Sequence, residues 1–155
     1  MNKLLFFMVA LVCWSCADQN MPHPQLTRQA ADAHARKSAP LNLTFAKSIA
    51  GANTWMGTVA GDIQGSLTTV LLNDPGQGSI WHVEFDWIVE ADDAQYSFTA
   101  RLKGILNTKT GKVVMNGTII QGWQVGAQVH EEGQMVNPDN LSFEGNIRIM
   151  PASAD

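Results

Sequence analysis

Cysteine is almost missing from this sequence, because the chain has only two, Cys13 and Cys16. Both lie near the N-terminus, at the end of an apolar run. The rest of the chain therefore offers neither a disulfide nor a thiol nucleophile. A zinc site built from cysteine is excluded for the same reason, and no cofactor is expected.

Positive charge is also scarce. The chain has 10 lysines and arginines against 14 aspartates and glutamates, and its basic residues form no block or stripe. Proteins that bind nucleic acid concentrate such residues against the phosphates. The sequence therefore predicts no nucleic-acid partner.

Only one apolar run is long, from Leu4 to Val12, and it follows Lys3. It is shorter than the roughly 20 residues that cross a bilayer, so residues 1–16 are interpreted as a secretory leader. The leader ends in CWSCAD, which resembles a bacterial lipoprotein signal with Cys16 as the lipidated residue. Such an anchor would hold the protein on a membrane leaflet in the periplasm or at the outer membrane. The alternative is plain secretion after cleavage near Ala17.

Residues 17–40 contain polar residues, alanine and proline, with a single leucine and no aromatic residue. This composition is typical of a flexible tether that holds a domain clear of a membrane. His23 and His34 lie in this segment and are expected to face solvent without a structural role.

Helical periodicity is missing from residues 41–151, whereas strict alternation is frequent there. In the segment SIWHVEFDWIVE, apolar side chains from Trp81 to Val89 alternate with polar ones, except at Ile88. QYSFTARLKGIL and LSFEGNIRI alternate in the same way, with Tyr96 predicted to lie on the apolar face of the first. The alternation predicts eight antiparallel strands, near residues 41–48, 54–60, 63–73, 79–90, 95–107, 112–121, 125–136 and 141–150.

Glycines indicate whether such strands form a barrel or a sandwich. The chain has 13, and Gly57, Gly61 and Gly65 recur at every fourth position. Glycine inside a strand weakens a flat sheet but permits a sharp bend or a close approach of two backbones. The predicted fold class is therefore all-β, a single small antiparallel eight-stranded barrel, with a sandwich as the alternative.

Three segments, WMGTVAGDIQGSL, FTARLKGILNTKTGKVVMNGTII and GWQVGAQVHEEGQ, carry a family resemblance. Together they resemble the allene oxide cyclase-like and dirigent-like barrels of the calycin type, in their bacterial branch. The resemblance covers roughly residues 41–150. It implies a barrel whose apolar interior can hold a small hydrophobic molecule, and it transfers no catalytic residue to this chain.

One strand face carries the first candidate site, formed by His82, Glu84 and Asp86. Alternate residues of a strand lie about 6.6–7 Å apart, so these side chains could share a metal ion with His130 or Glu132. The opposite face of the strand is aromatic and makes the better interior. The three polar residues are therefore expected to face solvent, and no metal is predicted.

The segment IIQGWQVGAQVHEEGQ, residues 119–134, holds the second candidate. His130 and Glu132 share one face, whereas Glu131 lies on the opposite face with Val129. Glu131 is therefore predicted to approach the barrel interior, where a carboxylate needs a partner such as Arg101, Arg148 or water. The alternative is that the strand twists and leaves Glu131 at the rim.

Tryptophans form the third candidate. Trp55, Trp81 and Trp87 are expected in the core, but Trp123 follows Gly122 in a turn, where an exposed ring could form a ligand platform. The predicted ligand-binding residues are therefore Trp123, Glu131, Trp87 and Phe85, and no catalytic residue is assigned.

These observations support three functions. The first is a non-catalytic barrel of the cell envelope that binds a small hydrophobic ligand or a partner protein. The second is an enzyme, a cofactor-free isomerase or cyclase of the allene oxide cyclase kind, in which Glu131 would orient or polarise the substrate. The third is a purely structural homo-oligomer.

Overall fold

The computed structural model describes residues 39–152. Predictions that concern the leader, the lipidation of Cys16, and His23 and His34 fall outside the described residues, as does all but the end of the predicted tether. The described chain forms eight strands, which we number β1 to β8: Leu41–Gly51, Thr54–Gly61, Gly65–Leu71, Ile80–Ala91, Phe98–Asn107, Lys112–Gly122, Gln128–Asn137 and Ser142–Met150.

The strands form a closed antiparallel barrel in which each strand pairs with the next and β1 pairs with β8. The predicted fold class is confirmed, and the barrel is the correct choice over the sandwich. The described residues contain a single helical segment, the short 3₁₀ turn Ala94–Tyr96. The prediction that Tyr96 belongs to the apolar face of β5 is therefore wrong, because this turn delays the strand until Phe98 and leaves Tyr96 exposed.

Alternation decides which side chains fill the barrel. In β4, Val83, Phe85, Trp87 and Val89 are buried, whereas His82 lies on the outer face. Side chains of all eight strands meet in one continuous apolar core. Burial of this kind provides the main driving force for folding, at about 25 cal/mol per Å² of apolar surface.

Interior glycines bring neighbouring strands close together, as the sequence predicts. A Cβ atom at Gly57 would overlap the carbonyl oxygen of Ala46 on β1, and one at Gly117 would overlap that of Arg101 on β5. No side chain fits at either position without moving backbone. These glycines are therefore required by the way the barrel closes.

The barrel has two ends that differ in their connections. We call one the cavity end, and it carries residues 52–53, 72–79, 108–111 and 138–141. We call the other the terminal end, and it carries residues 62–64, 92–97 and 123–127 together with the start of β1 and the end of β8. No helix within the described part of the chain is long and apolar enough to cross a membrane.

Candidate functional site

A partly enclosed cavity of about 210 Å³ occupies the cavity end of the barrel interior. Lys47 of β1 and Pro75 of the β3–β4 connection both line it. Most of the wall is aromatic or aliphatic, and its principal members are Trp55, Trp81, Val83, Phe85, Val113 and Phe143. Among residues 39–152, Lys47 is the only charged residue that lines it.

Lys47 is inside the barrel because of its position on β1. It follows Leu43 and Phe45 at alternate positions, and all three face inward, so the ammonium group is carried into the core. Its Nζ atom lies 4.0 Å from the ring centroid of Trp87, 5.0 Å from that of Phe45 and 5.4 Å from that of Phe85. Aromatic faces attract a cation at such distances, and more strongly when water is excluded.

Glu131 is the second charged residue in the interior, and its side chain is completely buried on β7. The Lys47 Nζ and Glu131 Oε1 atoms are 3.5 Å apart. Charge-assisted hydrogen bonds are shorter, about 2.7–2.9 Å, and neither oxygen of Glu131 has a hydrogen-bond partner in the described structure. The two groups therefore form an ion-pair contact without a hydrogen bond.

Burial changes the protonation of both groups. It lowers the pKa of the Lys47 ammonium, an effect that the Glu131 carboxylate opposes. It raises the pKa of Glu131 to about 7, against the opposing attraction of Lys47. Removal from water penalises each charged form, and a single contact at 3.5 Å does not offset that penalty. Burial therefore favours the neutral form of each group, and the attraction between the two charged forms opposes this preference.

The predicted inward position of Glu131 is correct, but neither of the two arginines predicted as possible partners reaches it. Arg101 lies on the outer face, where it donates hydrogen bonds to Asp86 at 2.8 and 2.9 Å. Arg148 is exposed on the outer face of β8. Both arginines alternate in step with the polar, outward residues of their strands, whereas Lys47 alternates in step with the apolar, inward residues of β1.

The polar ladder of β4 faces outward, as expected. Glu84 forms an ion pair with Lys103 of β5, with 3.2 Å between Oε2 and Nζ. His130 lies on the outer face of β7 near Glu132, and its Nδ1 is 2.7 Å from Asn116 Oδ1. Within residues 39–152, no three histidine, cysteine, aspartate or glutamate side chains are grouped so as to hold a metal ion.

The residues predicted to bind a ligand are only partly brought together. Phe85 lines the cavity, and Trp87 lies in the core beneath Lys47 without contributing to the wall. Trp123 lies at the terminal end, where it packs edge-to-face against Tyr96 with the ring centroids 5.5 Å apart. Trp123 is therefore separated from the cavity by the length of the barrel.

Two buried donors near the cavity lack partners. Trp55 Nε1 donates a hydrogen bond to the carbonyl oxygen of Leu141 at 3.0 Å. In contrast, the Nε1 atoms of Trp81 and Trp87 have no partner in the described structure, although buried indole N–H groups usually find one. Trp81 belongs to the cavity wall.

Lys47 was not among the residues predicted from the sequence. The available signal is its register, since the segment LNLTFAKSIAG alternates Leu43, Phe45 and Lys47 on one face. A lysine at such a position is usually taken as a sign that the strand ends there and that the side chain faces solvent. Its burial depends on Glu131, which is far away in sequence and close only after the barrel has closed.

The fold and the site thus define a closed antiparallel barrel with one charged pair and an apolar cavity in its interior. Comparison with models of known protein families, with curated proteins and with solved structures finds no match.

Proposed function

We propose that this protein binds a small hydrophobic molecule in the cavity end of its barrel, without catalysis. The observation that carries the proposal is the cavity itself, which has about 210 Å³ and an apolar wall. An apolar cavity of about 150 Å³ inside a protein can hold benzene. The ligand expected here is therefore a molecule with one ring and a short substituent, or a chain of similar volume.

Apolar burial supplies the affinity in this proposal. Aromatic rings of Trp55, Trp81 and Phe85 offer large contact surfaces to an apolar ligand. A ligand in the cavity also removes this wall from water without any need to order the barrel, because its strands are already paired on both sides. Preformed sites of this kind avoid the entropy cost of ordering a loop or a lid.

The enzymatic alternative receives less support. It needs Glu131 beside the substrate, and Glu131 does not line the cavity, whereas Lys47 does. The resemblance to allene oxide cyclase-like barrels, the lipid anchor at Cys16, the location in the cell envelope, and a partner protein or second copy remain predictions.

A matched pair of variants tests the binding proposal. Val113 faces the cavity, and its neighbour Val114 faces outward on the same strand. We expect Val113→Phe to fill part of the cavity and to weaken the binding of ethylbenzene at least tenfold, whereas Val114→Phe leaves it unchanged. Binding is measured by tryptophan fluorescence and by thermal shift.

Native mass spectrometry of protein purified from its own host would show which molecule is carried. Equal ethylbenzene affinity in both variants, or no binding to the wild-type protein, would contradict the proposed site.

A further inference from the structure

We propose that the ligand is a neutral hydrophobic aldehyde or ketone that forms an imine with the Nζ atom of Lys47, with Glu131 as the counter-ion. This inference rests on the proposed function, because it names the ligand class of the same cavity. It depends on which groups line the cavity, on the distance between Lys47 and Glu131, and on the charge of the pair.

The position of the pair gives its two members different roles. The Lys47 side chain keeps 5% of its surface accessible and lines the cavity, whereas the Glu131 side chain keeps 0% and does not line it. A molecule in the cavity therefore meets the amine first. The carboxyl group lies 3.5 Å from that amine, within reach of any group formed on it.

The charge of the pair determines the charge of the ligand. Above pH 7, where Glu131 is mostly ionised, Lys47 and Glu131 have no net charge as an ion pair, and the pair stays neutral if its proton moves from the amine to the acid. An anionic or cationic ligand would leave an unpaired charge in an apolar interior, which is strongly unfavourable. A neutral ligand avoids that cost.

Hydrogen-bonding capacity selects a carbonyl group among neutral ligands. The contact of Lys47 Nζ with Glu131, at 3.5 Å, is longer than a charge-assisted hydrogen bond, and the cavity wall contains the unpartnered Nε1 of Trp81. An ammonium and an indole N–H are donors only. A ligand that brings an acceptor oxygen into the apolar cavity therefore fits the donors already present, whereas an alkane leaves them unpaired.

Imine formation conserves the zero net charge. The Lys47 nitrogen attacks the carbonyl carbon, a C–N bond forms, and a proton moves from nitrogen to oxygen. The C–O bond then breaks, and the oxygen leaves as water with the proton of the Glu131 carboxylic acid. The product is a protonated imine beside a Glu131 carboxylate, and the reaction needs no oxidant or reductant. The aromatic rings around Nζ stabilise the cation that forms.

Reductive trapping tests the inference on the purified full-length protein. The probe is 4-ethylbenzaldehyde with sodium cyanoborohydride, and peptide mapping locates the adduct. We expect Lys47 to be labelled at least tenfold more than the exposed Lys103, Lys109 and Lys112, which act as internal controls. The matched control aldehyde, 4-carboxybenzaldehyde, carries a negative charge and is expected to label only the exposed lysines.

Glu131→Gln tests the role of the carboxylate. It leaves the amine in place but removes the counter-ion, so the pKa of the imine, measured by its absorbance, should fall by at least one unit. An unchanged imine pKa in this variant would remove Glu131 from the proposal.

Ethylbenzene separates the inference from the proposed function. If ethylbenzene binds but Lys47 is labelled no more than the exposed lysines, imine formation is refuted and the hydrophobic site remains. If ethylbenzene does not bind and Lys47 is not labelled, both are refuted.

Discussion

Replacing Lys47 by methionine should destabilise the barrel in a way that depends strongly on pH. Methionine keeps the volume of the lysine stem and removes the charge. Lys47 opposes the effect of burial on the pKa of Glu131, so without Lys47 the fully buried carboxyl group must stay ionised without a partner or take up a proton, and both are more costly at higher pH. Removal of one partner from a buried pair costs about 3–5 kcal/mol. This corresponds to a fall in Tm of roughly 12 °C or more, at about 4 °C per kcal/mol for a domain of this size.

Acid should reverse most of this loss. Burial raises the pKa of Glu131 to about 7, so at pH 5 the folded protein holds Glu131 mostly as a neutral acid. The substitution then leaves a neutral acid in the core and no longer an unpaired carboxylate. The cost of Lys47→Met should accordingly fall to about 1 kcal/mol or less at pH 5.

The double variant Lys47→Met/Glu131→Met completes the cycle. Well-packed apolar residues in place of a buried ion pair are often neutral or stabilising by about 1–4 kcal/mol, so at pH 8 the double variant should be at least as stable as wild type. Urea unfolding of the wild-type protein, of Lys47→Met, of Glu131→Met and of the double variant gives four free energies of unfolding at each pH, 5 and 8.

Lys103→Met is the matched control, because the Lys103 side chain is 69% exposed and its ion pair contributes at most about 1 kcal/mol. A loss below about 1 kcal/mol for Lys47→Met at pH 8, or a double variant as unstable as the sum of the single ones, would refute the reasoning.

Because the pKa of Glu131 is raised in the folded protein, Glu131 should contribute to stability fully below about pH 4.5 and lose this contribution as the pH rises to about 7. The free energy of unfolding of Glu131→Gln, measured in urea, should not show this dependence on pH. An equal dependence in the variant would mean that another group causes it. Gly117→Ala should lower the free energy of unfolding by several kcal/mol, because its Cβ would overlap a carbonyl oxygen of β5. The Cβ of Gly51→Ala would lie 3.8 Å from its nearest neighbour, so this variant should change the free energy of unfolding by about 1 kcal/mol or less. Similar losses in the two variants would contradict the role given to the close approach of strands. Phe85→Ala should alter the affinity for ethylbenzene at least fivefold, whereas Trp123→Ala should leave it unchanged, since Phe85 lines the cavity and Trp123 does not. Fluorescence titration measures both affinities. An effect of Trp123→Ala would place the site at the terminal end.

Most of the fold could be predicted from local features of the sequence. Alternation such as that of Val83, Phe85 and Trp87 fixes both the strand and its inward face, because a side-chain period of two leaves only two choices. The failure at Tyr96 has a local cause. Asp93 caps a short turn, since its side chain accepts a hydrogen bond from the backbone N–H of Gln95, and this bond competes with extension of the strand.

The site was less accessible to prediction than the fold. Alternation correctly placed Glu131 inside, and the same rule applied to Lys47 would have found its partner. Which end of the barrel contains a cavity depends instead on how completely side chains from all strands fill each layer. At the terminal end, Leu43, Ile119 and Ile149 are almost completely buried, whereas the layer above Lys47 is incompletely filled. No pattern within a single strand records that difference.

Because the barrel closes through β1 and β8, the first and last strands place both ends of the barrel chain on the same side of the molecule. The described chain enters at Leu41 and leaves after Met150, and Leu41 pairs with Ile149 at the terminal end. A support fixed to either end of the barrel chain, whether a bead, a fusion partner or a lipid, is thus joined on the side opposite to the cavity. Attachment at the start of β1 or at the end of β8 therefore leaves the cavity end directed away from the support.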